Sequence, residues 1–210
     1  MHHTMTGHNA EIIIWDPWVR LFHWSLVLAF TLSYFSQGEL FAEFLQNVDG
    51  ALLQTVHVWS GYTIAGLLAF RLIWGFIGPR YARFSDFVRG PAEVLTYTKN
   101  VLTLRAPRYL GHNPAGGAMI VILLLSLLLT VAAGLMLYGA GKGLGPLAGL
   151  MLNSSDATID FIEEFHEFFA NFTLILVVGH LTGVIWESLL HRENLTHAMI
   201  TGRKRVQEEI

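Results

Sequence analysis

Hydrophobic residues gather along this chain in four long runs, at about 19–36, 52–77, 116–138 and 161–190, and charge, glycine and proline concentrate between them. Each run is close to the roughly 20 residues that a helix needs to cross a hydrocarbon core. A helix satisfies its own backbone hydrogen bonds in lipid. The pattern therefore predicts an all-α integral membrane four-helix bundle of four transmembrane helices, a single domain over residues 1–210. The first run is short, but it lacks a basic leader and a small-residue cleavage site, so it is read as retained. Between the second and third runs, Gly90-Pro91 opens a stretch reaching Arg105 in which Val94, Leu95, Val101 and Leu102 recur at near-helical spacing. This predicts a short helix lying on the membrane surface. No internal repeat is visible, and Gly139 to Gly149 is the one glycine-rich patch.

Composition agrees with lipid as the solvent. The chain is 53% hydrophobic and 14% charged, where a soluble domain carries about 25% charged residues. The formal net charge of −3 matters less than its placement. Arg80, Arg83, Arg89, Lys99, Arg105 and Arg108 lie between the second and third runs. Arg192, Arg203, Lys204 and Arg205 follow the fourth, and Arg20 sits at the start of the first. The one basic residue in the two other loops is Lys142. Positive loops face the cytoplasm, so both termini and the middle loop are expected inside a bacterial inner membrane.

The sequence has no cysteine. Disulfides, thiolate-held iron–sulfur clusters and covalent attachment of c-type haem are excluded. Histidine is the remaining ligand of interest, and four of the ten fall in or beside the predicted spans: His23, His57, His166 and His180. Ionisable residues inside a membrane are costly and are functional candidates. With the first span starting inside, His23 lies near the inner face; with the second starting outside, His57 lies near the outer face. His166 and His180 are fourteen residues apart, which is about 21 Å of helix and nearly a whole number of turns. Two level-matched pairs result, His57 with His166 outside and His23 with His180 inside, the arrangement expected of two haems b stacked in one bundle.

Neighbouring residues suit a flat macrocycle. Gly61 lies one turn from His57, and Gly179 and Gly183 flank His180. Arg71, fourteen residues after His57, falls at the inner level. There Arg71 and Arg20 are placed to neutralise haem carboxylates; the alternative for Arg71 is snorkelling to the cytoplasmic interface. Packing or proton relay is the blander use of membrane histidines, but it does not account for matched pairs. Zinc is disfavoured, because two imidazoles per level are too few for a tetrahedral site. His112, His191 and His197 are read as solvated surface residues, as are His2, His3 and His8 in the leading tail.

Several stretches resemble the bacterial cytochrome b561 proteins and the b-type cytochrome subunits of nickel–iron hydrogenases. They are WDPWVRLFHW around His23, HVWSGY around His57, RLIWGFIGPRYARFSDF closing the second span and GHNPAGGAM opening the third, with ESLLHRENLTHAMITGRKR after His180. The resemblance spans nearly the whole chain. It implies bis-histidine ligation of two haems b by His23, His57, His166 and His180, and electron exchange with the quinone pool. In its first-span motif the chain is closer to the stand-alone b561-type proteins than to the hydrogenase subunits.

Two protein ligands on each iron leave no open position, which favours electron transfer over oxygen activation. The outer loops carry Glu39, Glu43, Asp49, Asp156, Asp160, Glu163 and Glu164. Such a surface attracts a basic partner, for example a periplasmic c-type cytochrome, and repels small anions. The expected function is therefore electron transfer between a periplasmic redox partner, either a c-type cytochrome or a dehydrogenase or hydrogenase subunit, and quinone bound near the inner pair. The alternative is a stand-alone superoxide:quinone oxidoreductase, against which the acidic entrance weighs. Membrane lipid and quinone are expected partners and nucleic acid is not. A homodimer is left open, as is whether the chain is an enzyme in its own right.

Overall fold

A computed structural model describes residues 11–37 and 49–206. His2, His3, His8, Glu39 and Glu43 lie outside the described residues. Among the described residues the architecture is all-α apart from two three-residue strands. Strand β1 (Glu11–Ile13) leads into α1 (Pro17–Ser36), and α2 (Gly50–Ile77) follows. A one-turn 3-10 segment (Arg80–Ala82), α3 (Phe84–Phe87) and α4 (Pro91–Leu102) precede α5 (Pro114–Lys142). Then come α6 (Ala148–Met151), α7 (Asp156–Leu190), α8 (Leu195–Thr201) and strand β2 (Arg203–Arg205).

Among the described residues, α2, α5 and α7 are long and apolar enough to cross a membrane, and the protein is a multi-pass membrane protein. Helix α1 has the length, 20 residues, but falls short in apolarity because Arg20, His23, Ser25, Thr31, Ser33 and Tyr34 interrupt it. It packs along α2, while α5 packs along α7 and against α2. Ala29, Ile64, Leu68 and Leu127 form the dry centre where α1, α2 and α5 meet. Between α5 and α7, fully buried Thr173 shares a 2.7 Å hydrogen bond with Ser126 and donates to Phe169 O. Outward-facing surfaces are apolar, with Phe76, Phe161, Phe168, Ile175 and Leu189 exposed, as lipid contact requires and water would penalise.

The helix starts are chemically marked. Asp16 caps α1 ahead of Pro17 by accepting from Trp18 N and Val19 N, Asn113 caps α5 ahead of Pro114, and Ser155 caps α7. These side chains take up backbone donors that the first turn leaves unpaired. Helix α5 ends at Gly143, whose φ of 64° is a left-handed conformation that glycine adopts without penalty. The surface helix expected over 91–105 ends at Leu102, because Thr103 and Leu104 turn out of it, Leu104 with φ 58°.

One end of the bundle carries a knitted cap. Strands β1 and β2 pair antiparallel with Ile12 opposite Lys204, and Ile14 N and Trp15 N both donate to Gly202 O. Arg20 donates to Ile200 O and Trp24 Nε1 to Met199 O. Glu193 pairs with Arg108 and with Lys204, and Lys204 Nζ donates to Tyr109 O at 3.1 Å. The segment before α1 and the segment after α7 thus meet at the same end as the α2–α5 connection.

Candidate functional site

The four span histidines come together in two pairs. His57 on α2 faces His166 on α7 with ring centroids 6.0 Å apart and planes at 77°. His23 on α1 faces His180 on α7 at 6.4 Å and 54°. Both His166 and His180 lie on the uninterrupted α7, so the tiers are about 21 Å apart along its axis. A metal ion held by one nitrogen of each of two rings, at about 2 Å per bond, needs centroids about 6 Å apart. Both pairs meet that spacing.

In the outer tier the remaining ring nitrogens are engaged. His57 Nδ1 donates to Ser33 O of α1 at 2.9 Å, with Ser33 Oγ at 3.3 Å. His166 Nδ1 donates to Thr130 O of α5 at 2.8 Å. With the proton on Nδ1, each Nε2 keeps its lone pair, which is the tautomer and orientation that metal-binding imidazoles adopt. A cavity of about 90 Å³ opens here, lined by both histidines together with Tyr34, Gly61, Tyr62 and Gly134. A Cβ at Gly61 would meet nothing within 4 Å, so the glycine borders open space. At Gly134 a Cβ would lie 3.0 Å from His166 Cε1, so glycine is what lets the ring sit where it does.

The inner tier differs. His23 Nδ1 is sealed from solvent and has no partner among the described residues. Arg71, 4% exposed, lies with its guanidinium 4.8 Å from the Phe84 ring and 5.6 Å from the Phe87 ring. Its Nη1 is sealed and unpartnered, as is Nε of Arg20. Arg71 therefore does not snorkel to the interface; α3 closes over it. Buried donors without acceptors are rare and costly. Their clustering beside one histidine pair fits an anionic group that completes the site. Gly183 borders open space, whereas a Cβ at Gly179 would reach ordinary contact with Met119 Cε at 3.4 Å.

Two expectations about the other histidines are corrected. His112 is not a solvated surface residue: its ring is wedged between Trp15, at 4.5 Å, and Phe87, at 4.7 Å, and Nδ1 is sealed without a partner. Burial, then the charges of Arg71 and Lys204, push its pKa down to about 3. His191 is also tucked in, with Nε2 3.2 Å from Glu187 Oε2. His197 is exposed as expected. The sequence reading missed Ser33 and Thr130, which act through backbone carbonyls that any residue possesses. It also missed Gly134, whose only signal is a small residue in a span without histidine.

The family described as prokaryotic cytochrome b561 matches residues 14–202. A probable Ni/Fe-hydrogenase B-type cytochrome subunit of Rhizobium leguminosarum bv. viciae is 26% identical over 225 aligned positions, covering 93% of this chain and 90% of the relative. No solved structure matches.

Proposed function

Because the chain belongs to the prokaryotic cytochrome b561 family, and so is a haem-binding membrane electron carrier, we propose that it is a di-haem cytochrome joining a periplasmic redox protein to the quinone pool. One domain over residues 1–210 crosses the bacterial inner membrane four times, α1 included, with both termini cytoplasmic. Bound haem b supplies a one-electron iron couple. The observation that carries the reading is the pair of imidazole pairs, at 6.0 and 6.4 Å between centroids, on facing helices.

Within this reading each side chain has a physical task. His57 and His166 would hold the outer haem through Nε2, kept in that tautomer by Ser33 O and Thr130 O. His23 and His180 would hold the inner one. Gly61 leaves space for the outer ring system, and Gly134 sets the His166 plane. Arg71 and Arg20 present unpartnered donors to the inner carboxylates. With two histidines to hold each haem, no position would remain open for oxygen, and the protein's remaining work would be to fix spacing and tune potential.

Asp156, Asp160, Glu163 and Glu164 fall in the first three turns of α7, at the outer end in this orientation. A 35-residue helix is longer than a roughly 30 Å hydrocarbon core requires, so this acidic end stands clear of lipid as a dock for a basic partner. The relative's name includes a hydrogenase, and an oxidoreductase subunit of that kind is the second class of partner this surface suits. Quinone exchange is assigned to the inner level. The test is reconstitution in quinone-loaded liposomes with a basic c-type cytochrome outside. Partner-dependent quinone redox change, weakened at high salt and by Glu163→Lys/Glu164→Lys, is expected; turnover independent of any outside protein would contradict it.

A further inference from the structure

The cap places one more polar group against the inner tier. His112 comes from the loop before α5, yet its ring lies between Trp15 of the leading segment and Phe87 of α3. The same Phe87 ring carries the Arg71 guanidinium on its other contact, and His112 is within electrostatic reach of both Arg71 and His180. Its Nδ1 is sealed from solvent and bonded to nothing among the described residues, as are Arg71 Nη1, Arg20 Nε and His23 Nδ1. An aromatic wedge needing only shape would be filled by phenylalanine; an imidazole brings a donor that must find an acceptor or cost free energy. Arg71 Nη1 and Arg20 Nε can only donate, so the partner they lack is an acceptor, and the charges of Arg71 and Lys204 around His112 favour an anion.

We infer that His112 is a positioning residue of the inner site, donating from Nδ1 to a carboxylate of the haem held between His23 and His180, alongside Arg71. The inference rests on the assignment of that histidine pair as axial ligands. Burial, which keeps this imidazole neutral, lets it act as a fixed dipole instead of a second full charge. A donor that stabilises a carboxylate anion reduces the negative potential felt at the iron and so favours its reduced form.

The experiment uses the purified haem-loaded protein and follows optical redox titrations of His112→Leu and His112→Gln, with His180→Ala as reference. His112→Leu is expected to lower the ferrous-to-ferric equilibrium of the inner haem three- to tenfold, where tenfold is about 59 mV for a one-electron couple. The outer step should stay put, and His112→Gln, which restores an N–H donor, should recover most of the change. If leucine removes the inner haem altogether while glutamine retains it, the donor requirement is met in stronger form. An unchanged inner step in His112→Leu, equal shifts or equal haem loss in both variants, or a shift of the outer step would each overturn the inference. Survival of the inner step in His180→Ala would instead sink the ligand assignment beneath it, so the two failures are told apart.

Discussion

Gly134 and Tyr97 show how much a single atom decides here. A methyl group at Gly134 would press on His166 Cε1 from 3.0 Å, and the ring cannot yield without losing its hydrogen bond to Thr130 O. Overpacking of this sort costs about 1–3 kcal/mol. Gly134→Ala is therefore expected to lower occupancy of the outer haem about tenfold or more while sparing the inner one, as read by haem quantitation and absorbance. Tyr97 Oη donates to Glu187 Oε1 at 3.0 Å, tying α4 to the end of α7. Burial first, then the adjacent Glu187, raise the phenol's pKa above its ordinary value. A raised pKa means the folded state holds the proton longer, so this stability is complete below about pH 10 and is lost as pH rises further. Tyr97→Phe should cost about 1–2 kcal/mol at neutral pH and flatten the alkaline limb of a thermal-stability profile. At this scale the span histidines were legible because imidazole is conspicuous among leucines. His112 was not, because its loop neighbours are Gly111, Asn113 and Pro114, and the rings that bury it arrive from distant segments.

Elements were legible wherever one physical pattern dominated. The apolar runs located α1, α2, α5 and α7 to within a few residues, since lipid permits only a continuous helix. What remained was their ends: α7 begins at Asp156, not near 161, because Ser155 caps it and its first turns are polar and stand outside the apolar run. The cap was illegible. Strands β1 and β2 have three residues each and pair across nearly the whole chain, so neither announces itself by alternation. Besides the backbone pairing, the cap is held by Glu193, whose carboxylate joins Arg108 and Lys204, the latter with its side chain 5% exposed. Removing the anion leaves cations uncompensated, at about 3 kcal/mol for a largely buried group. Glu193→Ala should therefore release the trailing segment to limited proteolysis near Lys204, with the absorbance of the outer haem unchanged.

Across the whole molecule the two tiers are electrically unlike. The outer pair, His57 and His166, donates its Nδ1 protons to carbonyls, and Glu163 and Glu167 are within electrostatic reach of His166. Both features favour the oxidised, more positive iron. The inner tier has Arg71 and Arg20 and an unpartnered His23 Nδ1, which favour the reduced form. A potentiometric titration should resolve two one-electron steps, the lower abolished by His57→Ala and the higher by His180→Ala; a reversed order would contradict the charge argument. This polarity was half legible: basic loops on one side and acidic loops on the other stand in the sequence, but the carbonyl partners appear only with the fold.

The most direct test of the central claim is a reduced-minus-oxidised visible spectrum with haem quantitation on detergent-purified protein. Two haems b per chain are predicted, one lost in His57→Ala, the other in His180→Ala, and both in the double variant. A single haem, no haem absorbance at all, or loss of the same haem in both single variants would contradict it.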